Sequence, residues 1–278
     1  MRVVPSSLLG SRQSLLKSAL LGVSSLALVL SAVQANADSL VVNGSFELTS
    51  NGSNLQISCG TPQCSTPATQ STTLNGWSIP AGGYSFLFAT SGGSTSADQG
   101  GANGQFGNVQ LWGTNNGGVD AITPSPDGGN FVASDGAFQV QPIEQTINGL
   151  VVGDSYRVSF DWAAAQQYSY TGPTTDQWSV SLGGQTEDTP VIDLDSHSFS
   201  GWESESLVFT ATSSSEVLSF LANGTPGSSE PPFALLDGVQ LNQTPEPGTL
   251  TFLLTGGLAG FGALNRRRLM MKARKAAK

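Results

Sequence analysis

Lysine is missing from residues 38–244, and arginine occurs there once, as Arg157. Nineteen Asp and Glu residues face that single cation, a formal charge of −18 over the segment. A surface of that sign repels phosphate backbones, which excludes nucleic acid as a partner and suits divalent cations or neutral glycans. Histidine also occurs once, as His197. One histidine cannot build a His-rich metal site. In the polar stretch "DLDSHSFSGW" it reads as a solvated side chain rather than the base of a nucleophilic triad. G-x-S-x-G, G-x-G-x-x-G, P-loop and H-E-x-x-H patterns are all missing. No residue is therefore nominated as catalytic, and the chain is read as a non-enzyme. Nineteen acids still allow carboxylate pairs that spacing cannot reveal, so a glycosidase or lyase on the same scaffold stands as the alternative.

Cysteine occurs twice, as Cys59 and Cys64 in "SCGTPQCS". In an exported protein a close pair in a Gly/Pro loop reads as a local disulfide, ahead of a metal pair.

Long apolar runs are confined to the two ends. Arg2, Arg12 and Lys17 precede an apolar run from Ala19 to Leu30, followed by Ala35-Asn36-Ala37. A basic start, an apolar middle and an A-x-A site predict a secretory signal over residues 1–37, removed by signal peptidase. At the other end, Leu250–Leu264 carries no charge. As a helix it would span roughly 22 Å at ~1.5 Å per residue, short of a ~30 Å hydrocarbon core. Arg266, Arg267 and Arg268 and the basic residues after them would hold that end in the cytoplasm, with the domain outside.

Pro245-Glu246-Pro247, the short apolar helix over 249–264 and the basic tail over 265–278 together resemble the PEP-CTERM sorting signal of Gram-negative bacteria. The resemblance implies that a membrane-embedded exosortase cuts near the motif and passes the protein to the cell surface or extracellular matrix. A permanent single-pass anchor is the competing reading.

Between the ends lies one predicted domain, residues 38–244. Period-two patterns recur in it between turn-forming clusters. "SYRVSFDWA" places Tyr156, Val158, Phe160 and Trp162 on one face; "QWSVSLGG" does the same for Trp178, Val180 and Leu182. "SLVFTAT" aligns Leu207, Phe209 and Ala211, and "VLSFLANG" aligns Leu218, Phe220 and Ala222. "LVVNGSFEL", "GWSI", "GNVQLWG", "NFVASDG" and "IEQTI" read as further strands, and no helical stripe of useful length appears. About ten short strands with Gly, Pro, Asn and Ser between them predict an all-β, antiparallel β-sandwich or barrel.

"NGSFE", "GW", "DGGNFVASDGAF", "IEQTINGLVVGDSYRVSFDWAA" and the closing "PPFALLDGVQL" resemble, in that order, the galactose-binding-like jelly roll, which includes carbohydrate-binding modules and DUF642-type cell-wall proteins. The resemblance implies a non-catalytic jelly-roll sandwich, in many members glycan-binding, with a structural calcium. Carried over by position, it nominates Glu47 and Asp237 as calcium ligands, with Asn43 through its carbonyl; oxygen-only ligands suit calcium. Independently, Asp237 shares strand parity with Phe233, Leu235, Val239 and Leu241, and a lone carboxylate among core positions is costly unless paired or metal-bound. The competing reading is a β-bulge at Asp237-Gly238 that turns the aspartate to solvent.

Aromatic residues supply the other candidate site. Trp77, Trp162, Trp178 and Trp202 lie in strand-like patterns and read as core. Trp112 in "QLWGTNNGG" and Tyr168 and Tyr170 in "QQYSYTGP" sit beside loop sequence. Exposed rings there form a sugar-stacking surface; turned inward, they lid the core. An extracellular polysaccharide is the partner this reading implies.

Overall fold

The computed structural model describes residues 38–58, 68–79, 82–227 and 229–244. The predicted signal at 1–37, the cysteine pair Cys59 and Cys64, and the tail from Pro245 onward lie outside the described residues.

The described residues are almost all strand and turn. One sheet contains β1 (Leu55–Ile57), β2 (Ser71–Thr72), β3 (Ser85–Phe88), β6 (Ala102–Gly104), β7 (Gly107–Val109), β8 (Phe131–Asp135), β10 (Ser155–Gln166), β14 (Glu203–Thr210) and β16 (Pro232–Gln243). Its order is β14-β10-β16-β8-β3-β1-β6-β7, with β2 attached to β1. A second sheet holds β9 (Ile143–Asn148), β11 (Thr174–Leu182), β12 (Gln185–Asp188), β13 (Ile192–Leu194) and β15 (Ser215–Thr225), in the order β12-β11-β15-β9 with β13 attached to β11. A hairpin of β4 (Thr90–Ser91) and β5 (Ser94–Thr95) stands apart. Pairing is antiparallel except that β1 runs parallel to β2 and to β6, so the predicted all-antiparallel arrangement is corrected at that edge.

The alternating faces read from sequence pack between the two sheets. Tyr156, Val158, Phe160 and Trp162 of β10 meet Trp178, Val180 and Leu182 of β11 and Leu218, Phe220 and Ala222 of β15 in one buried cluster. Phe220 is its hub: Phe160 and Trp178 present their edges to it at 5.2 and 6.0 Å. The Trp178 indole donates to the Leu235 carbonyl across the layers at 3.1 Å. A buried N–H thereby finds an acceptor that an apolar core would not supply.

A second cluster lies on the other face of the large sheet. Phe131 and Ala133 of β8 and Phe233 and Leu235 of β16 belong to it, whereas Val132, Ala234 and Leu236 belong to the first. Val109 at the end of β7 and Ala97, Leu111, Ile122 and Phe199 from the connecting segments also belong to it. Strands buried on both faces lose period-two alternation and read as continuous apolar runs. "FVASD" and "PFALL" are such stretches, buried on both faces.

The start of the domain pairs with its last strand. Leu40 N–H donates to the Leu241 carbonyl at 2.9 Å, and Thr244 N–H donates to the Ser155 carbonyl at 2.8 Å. "LVVNGSFEL" is not a strand. Asn43 and Phe46 have φ of 54° and 55° and turn the chain, while Gly44 lies so close to β16 that a Cβ there would be 1.9 Å from the Val239 oxygen.

Candidate functional site

Trp112, Tyr168 and Tyr170 come together where β10 runs out into loop. The Trp112 N–H donates to the Gln166 carbonyl at 2.9 Å, and Tyr168 N–H to the Gln110 carbonyl at 2.8 Å. Tyr168 stands edge-on to Trp112 at 4.6 Å, and the Trp112 indole N–H donates to the Tyr170 carbonyl at 2.8 Å. The opposite contact is one that sequence reading did not anticipate. The His197 ring lies 3.9 Å from the indole with the planes 31° apart, and its Nε2 meets the Thr171 hydroxyl at 3.1 Å. His197 is thus a packed member of the aromatic group rather than a free solvated side chain.

Exposure divides the roles. Tyr168 and Tyr170 are 38% and 39% exposed, while Trp112 is half-buried with its N–H consumed. Trp112 is the keystone, and the tyrosines present the open ring surface. Ser169 and His197 hold φ of 75° and 66° without being glycine. Such conformations cost on the order of 1 kcal/mol each and persist where surrounding bonds over-determine them. At His197 the buried Gln166 supplies such bonds. Its Oε1 accepts the His197 N–H at 2.6 Å, and its Nε2 donates to the Gly172 carbonyl and the Thr174 hydroxyl at 3.0 and 3.1 Å. Gln166 ends the "FDWAAAQ" run, and a polar residue closing a buried strand is the signal that would have marked it.

A carboxylate group surrounds the bulge in β16. Asp161 pairs with Asp237 and Ser159 with Gln240, so two residues of β16 lie opposite Phe160. Gly238 takes the positive φ, 61°. The predicted bulge is present, yet Asp237 faces inward: it is 0% exposed. Val239 and Leu241, beyond the bulge, lie in the inter-sheet cluster rather than sharing Asp237's face. The Ser125 hydroxyl donates to Asp237 Oδ2, and Gly238 N–H donates to Oδ1 at 2.8 Å. Burial pushes the Asp237 carboxyl up to about 8; the bonds from Ser125 and Gly238 oppose this, and the charges of Asp127 and Glu47 add to it.

Glu47 therefore sits within electrostatic reach of Asp237, as its nomination required. Its Oε2 accepts from the Asn130 side chain at 3.1 Å, and its Oε1 from the Asn130 backbone N–H. Asn43 has a different task. Its carbonyl already accepts from Phe46 N–H at 3.2 Å and Trp77 Nε1 at 3.0 Å, and its side chain ties Leu48 to Asn75. The donor chemistry is oxygen-only, as calcium requires, but these oxygens already carry hydrogen bonds. Among the described residues no group of three or more His, Cys, Asp or Glu closes to metal-holding geometry.

These features define an all-β, two-layer domain with a loop-borne aromatic patch at one end of its longest strands. Residues 88–241, more than half of the chain, match the family described as a protein of unknown function, DUF642, and the chain belongs to that family. Residues 243–268 match the PEP-CTERM protein-sorting motif, which marks the chain for export. No curated protein matches the chain. Among solved structures, the chain is distantly similar to the CBM22-1 xylan-binding domain of Paenibacillus barcinonensis Xyn10C, at 12% identity over 76% of this chain and 99% of that one, with a TM-score of 0.33. A structure described as "CBM4 structure and function" is similar at 12% identity over 73% and 99%, TM-score 0.31. TmCBM61 in complex with beta-1,4-galactotriose is similar at 12% identity over 42% and 72%, TM-score 0.28.

Proposed function

We propose that this is a surface or extracellular-matrix protein, cut by exosortase at its tail, whose sandwich binds polysaccharide without cleaving it. One observation carries the reading: the exposed rings of Tyr168 and Tyr170 are braced by Trp112, His197 and Gln166 into a fixed polar-rimmed surface. Exposed rings of this kind offer apolar faces to the C–H side of a sugar, and the surrounding Gln, Ser and Thr supply hydrogen bonds. The acid-rich domain favours neutral chains; an acidic chain would need bridging cations, which makes its binding chelator- and salt-sensitive. The absence of a recognisable catalytic set in the sequence supports binding over cleavage.

The same reading includes calcium beside Glu47 and Asp237. If bound there, calcium would neutralise the Asp237 carboxylate, which burial now penalises, and would tie the start of the domain to its last strand. A ligand that binds only the native state at a hundredfold excess over Kd adds roughly 2.7 kcal/mol of stability.

Affinity electrophoresis in polysaccharide gels, with and without chelator, tests the binding. Retardation that weakens in Tyr168→Ala and Tyr170→Ala supports the reading. Steady release of reducing ends or unsaturated products would move it to an enzyme.

A further inference from the structure

Two carboxylates away from the bulge are buried with bare oxygens. Asp176 of β11 is 0% exposed, and neither of its oxygens receives a hydrogen bond. Asp135, the last residue of β8, is 3% exposed. Its Oδ1 accepts from the N–H groups of Ala137 and Phe138 at 2.8 and 2.9 Å, but its Oδ2 receives none. The backbone brings the two together from different sheets. Gly136, next to Asp135, accepts from Gly224 N–H at 3.0 Å, and Gly224 is the strand partner of Asp176. Glycine is required at 136 for that approach, since a Cβ there would lie 2.6 Å from the Gly224 nitrogen; a Cβ on Gly224 would instead meet Pro232 Cγ of β16 at 2.3 Å.

Among the described residues no protein cation reaches this place. Arg157, the single Lys or Arg of residues 38–244, bonds Ser206. It lies eight residues along β10 from Ala165, the partner of Phe233, which itself pairs with Asp135. His197 is engaged with Thr171 and Trp112. Three buried carboxylate oxygens without donors would cost several kcal/mol if left charged and uncompensated. Consistent with that cost, burial raises Asp135 to about 6, and burial together with the Asp135 charge raises Asp176 well above the usual carboxylate range, against an opposing influence from the Thr174 hydroxyl.

We propose that Asp135 and Asp176 form a second cation site, separate from Glu47 and Asp237, in which a hard divalent ion such as calcium joins the two sheets. The Asp176 oxygens and Asp135 Oδ2 supply three anionic donors, and the Thr174 hydroxyl, held by Gln166 at 3.1 Å, stands beside Asp176 as a neutral one. Calcium takes oxygen ligands in flexible number and completes its shell with carbonyls or water. Because Gln166 also holds His197, an ion here would stiffen the support beneath the aromatic patch.

The test counts bound calcium by native mass spectrometry on the full exported chain, with thermal unfolding in calcium and in chelator. An Asp237→Asn chain is expected to keep one calcium and a calcium-dependent rise in melting temperature. Adding Asp176→Asn is expected to remove both, and Asp135→Asn to weaken uptake at least tenfold. If Asp176→Asn does not fold, Asp135→Asn, at the strand end, carries the same test. An Asp237→Asn chain that takes up no calcium overturns the proposal and leaves the pair sharing a proton. An unchanged calcium count in Asp135→Asn and Asp176→Asn overturns it equally.

Discussion

The imidazole of His197 and the indole of Trp112 pack with centroids 3.9 Å apart and planes tilted by 31°, although 85 positions separate them in the chain. One face of Trp112 is therefore already covered, which transfers the expected ligand contact to the neighbouring tyrosines.

Tyr168→Ala and Tyr170→Ala should each weaken polysaccharide binding about fivefold, the equivalent of ~1 kcal/mol for one ring contact. Melting temperature should barely move, because both rings are exposed. Trp112→Ala should lower binding and stability together, since it removes the partner of Tyr168, His197 and the Tyr170 carbonyl. Tyrosine variants that unfold early while Trp112→Ala does not would reverse these roles.

Glu216 provides a pH signature. Its burial works against ionisation, but Oε1 accepts from Thr212 N–H, the Thr212 hydroxyl and Ser213 N–H at 2.7, 2.6 and 2.9 Å. These bonds prevail and hold its carboxyl below the ordinary glutamate value. A depressed value means stability that is present above the unfolded pKa and is lost as pH falls through the folded one. Glu216→Gln should cost about 2 kcal/mol at neutral pH, the scale of hydrogen bonds to a charged group, and the difference should shrink in acid. Equal melting curves at pH 7 would contradict this.

Gly44 and Gly184 make a contrasting pair. A Cβ on Gly44 would sit 1.9 Å from the Val239 oxygen, whereas one on Gly184 meets nothing within 4 Å. Gly44→Ala should destabilise by about 1–3 kcal/mol or more, through forced backbone displacement. Gly184→Ala should stay within about 0.5 kcal/mol of the parent. Chemical denaturation of both variants decides it.

The sorting motif predicts a shortened product. Mass spectrometry of the protein from its native host should find chains ending near Pro247, and deleting Pro245–Pro247 should leave the apolar segment attached. A mature chain that retains Arg266–Arg268 would argue for a permanent anchor.

The sandwich was legible wherever one strand face is buried. Tyr156 to Trp162 and Trp178 to Leu182 alternate because their other faces meet solvent. β16 was harder, because both its faces are covered and Gly238 shifts the parity partway along. Trp112, Tyr168 and Tyr170 were recognisable as loop aromatics. Their meeting with His197 was not, since it depends on Gln166 bonding a residue 31 positions away. Asp176 could have been found. It has the parity of Trp178 and Val180, and the reasoning that singled out Asp237 applies to it unchanged.

Thr244 bonds Ser155 at the first residue of β10, while the tyrosines emerge just after its last, Gln166. At ~3.3 Å per residue, β10 separates them by roughly 36 Å. If the proposed surface attachment runs through the chain beyond Thr244, it holds the domain by the pole opposite the aromatic patch.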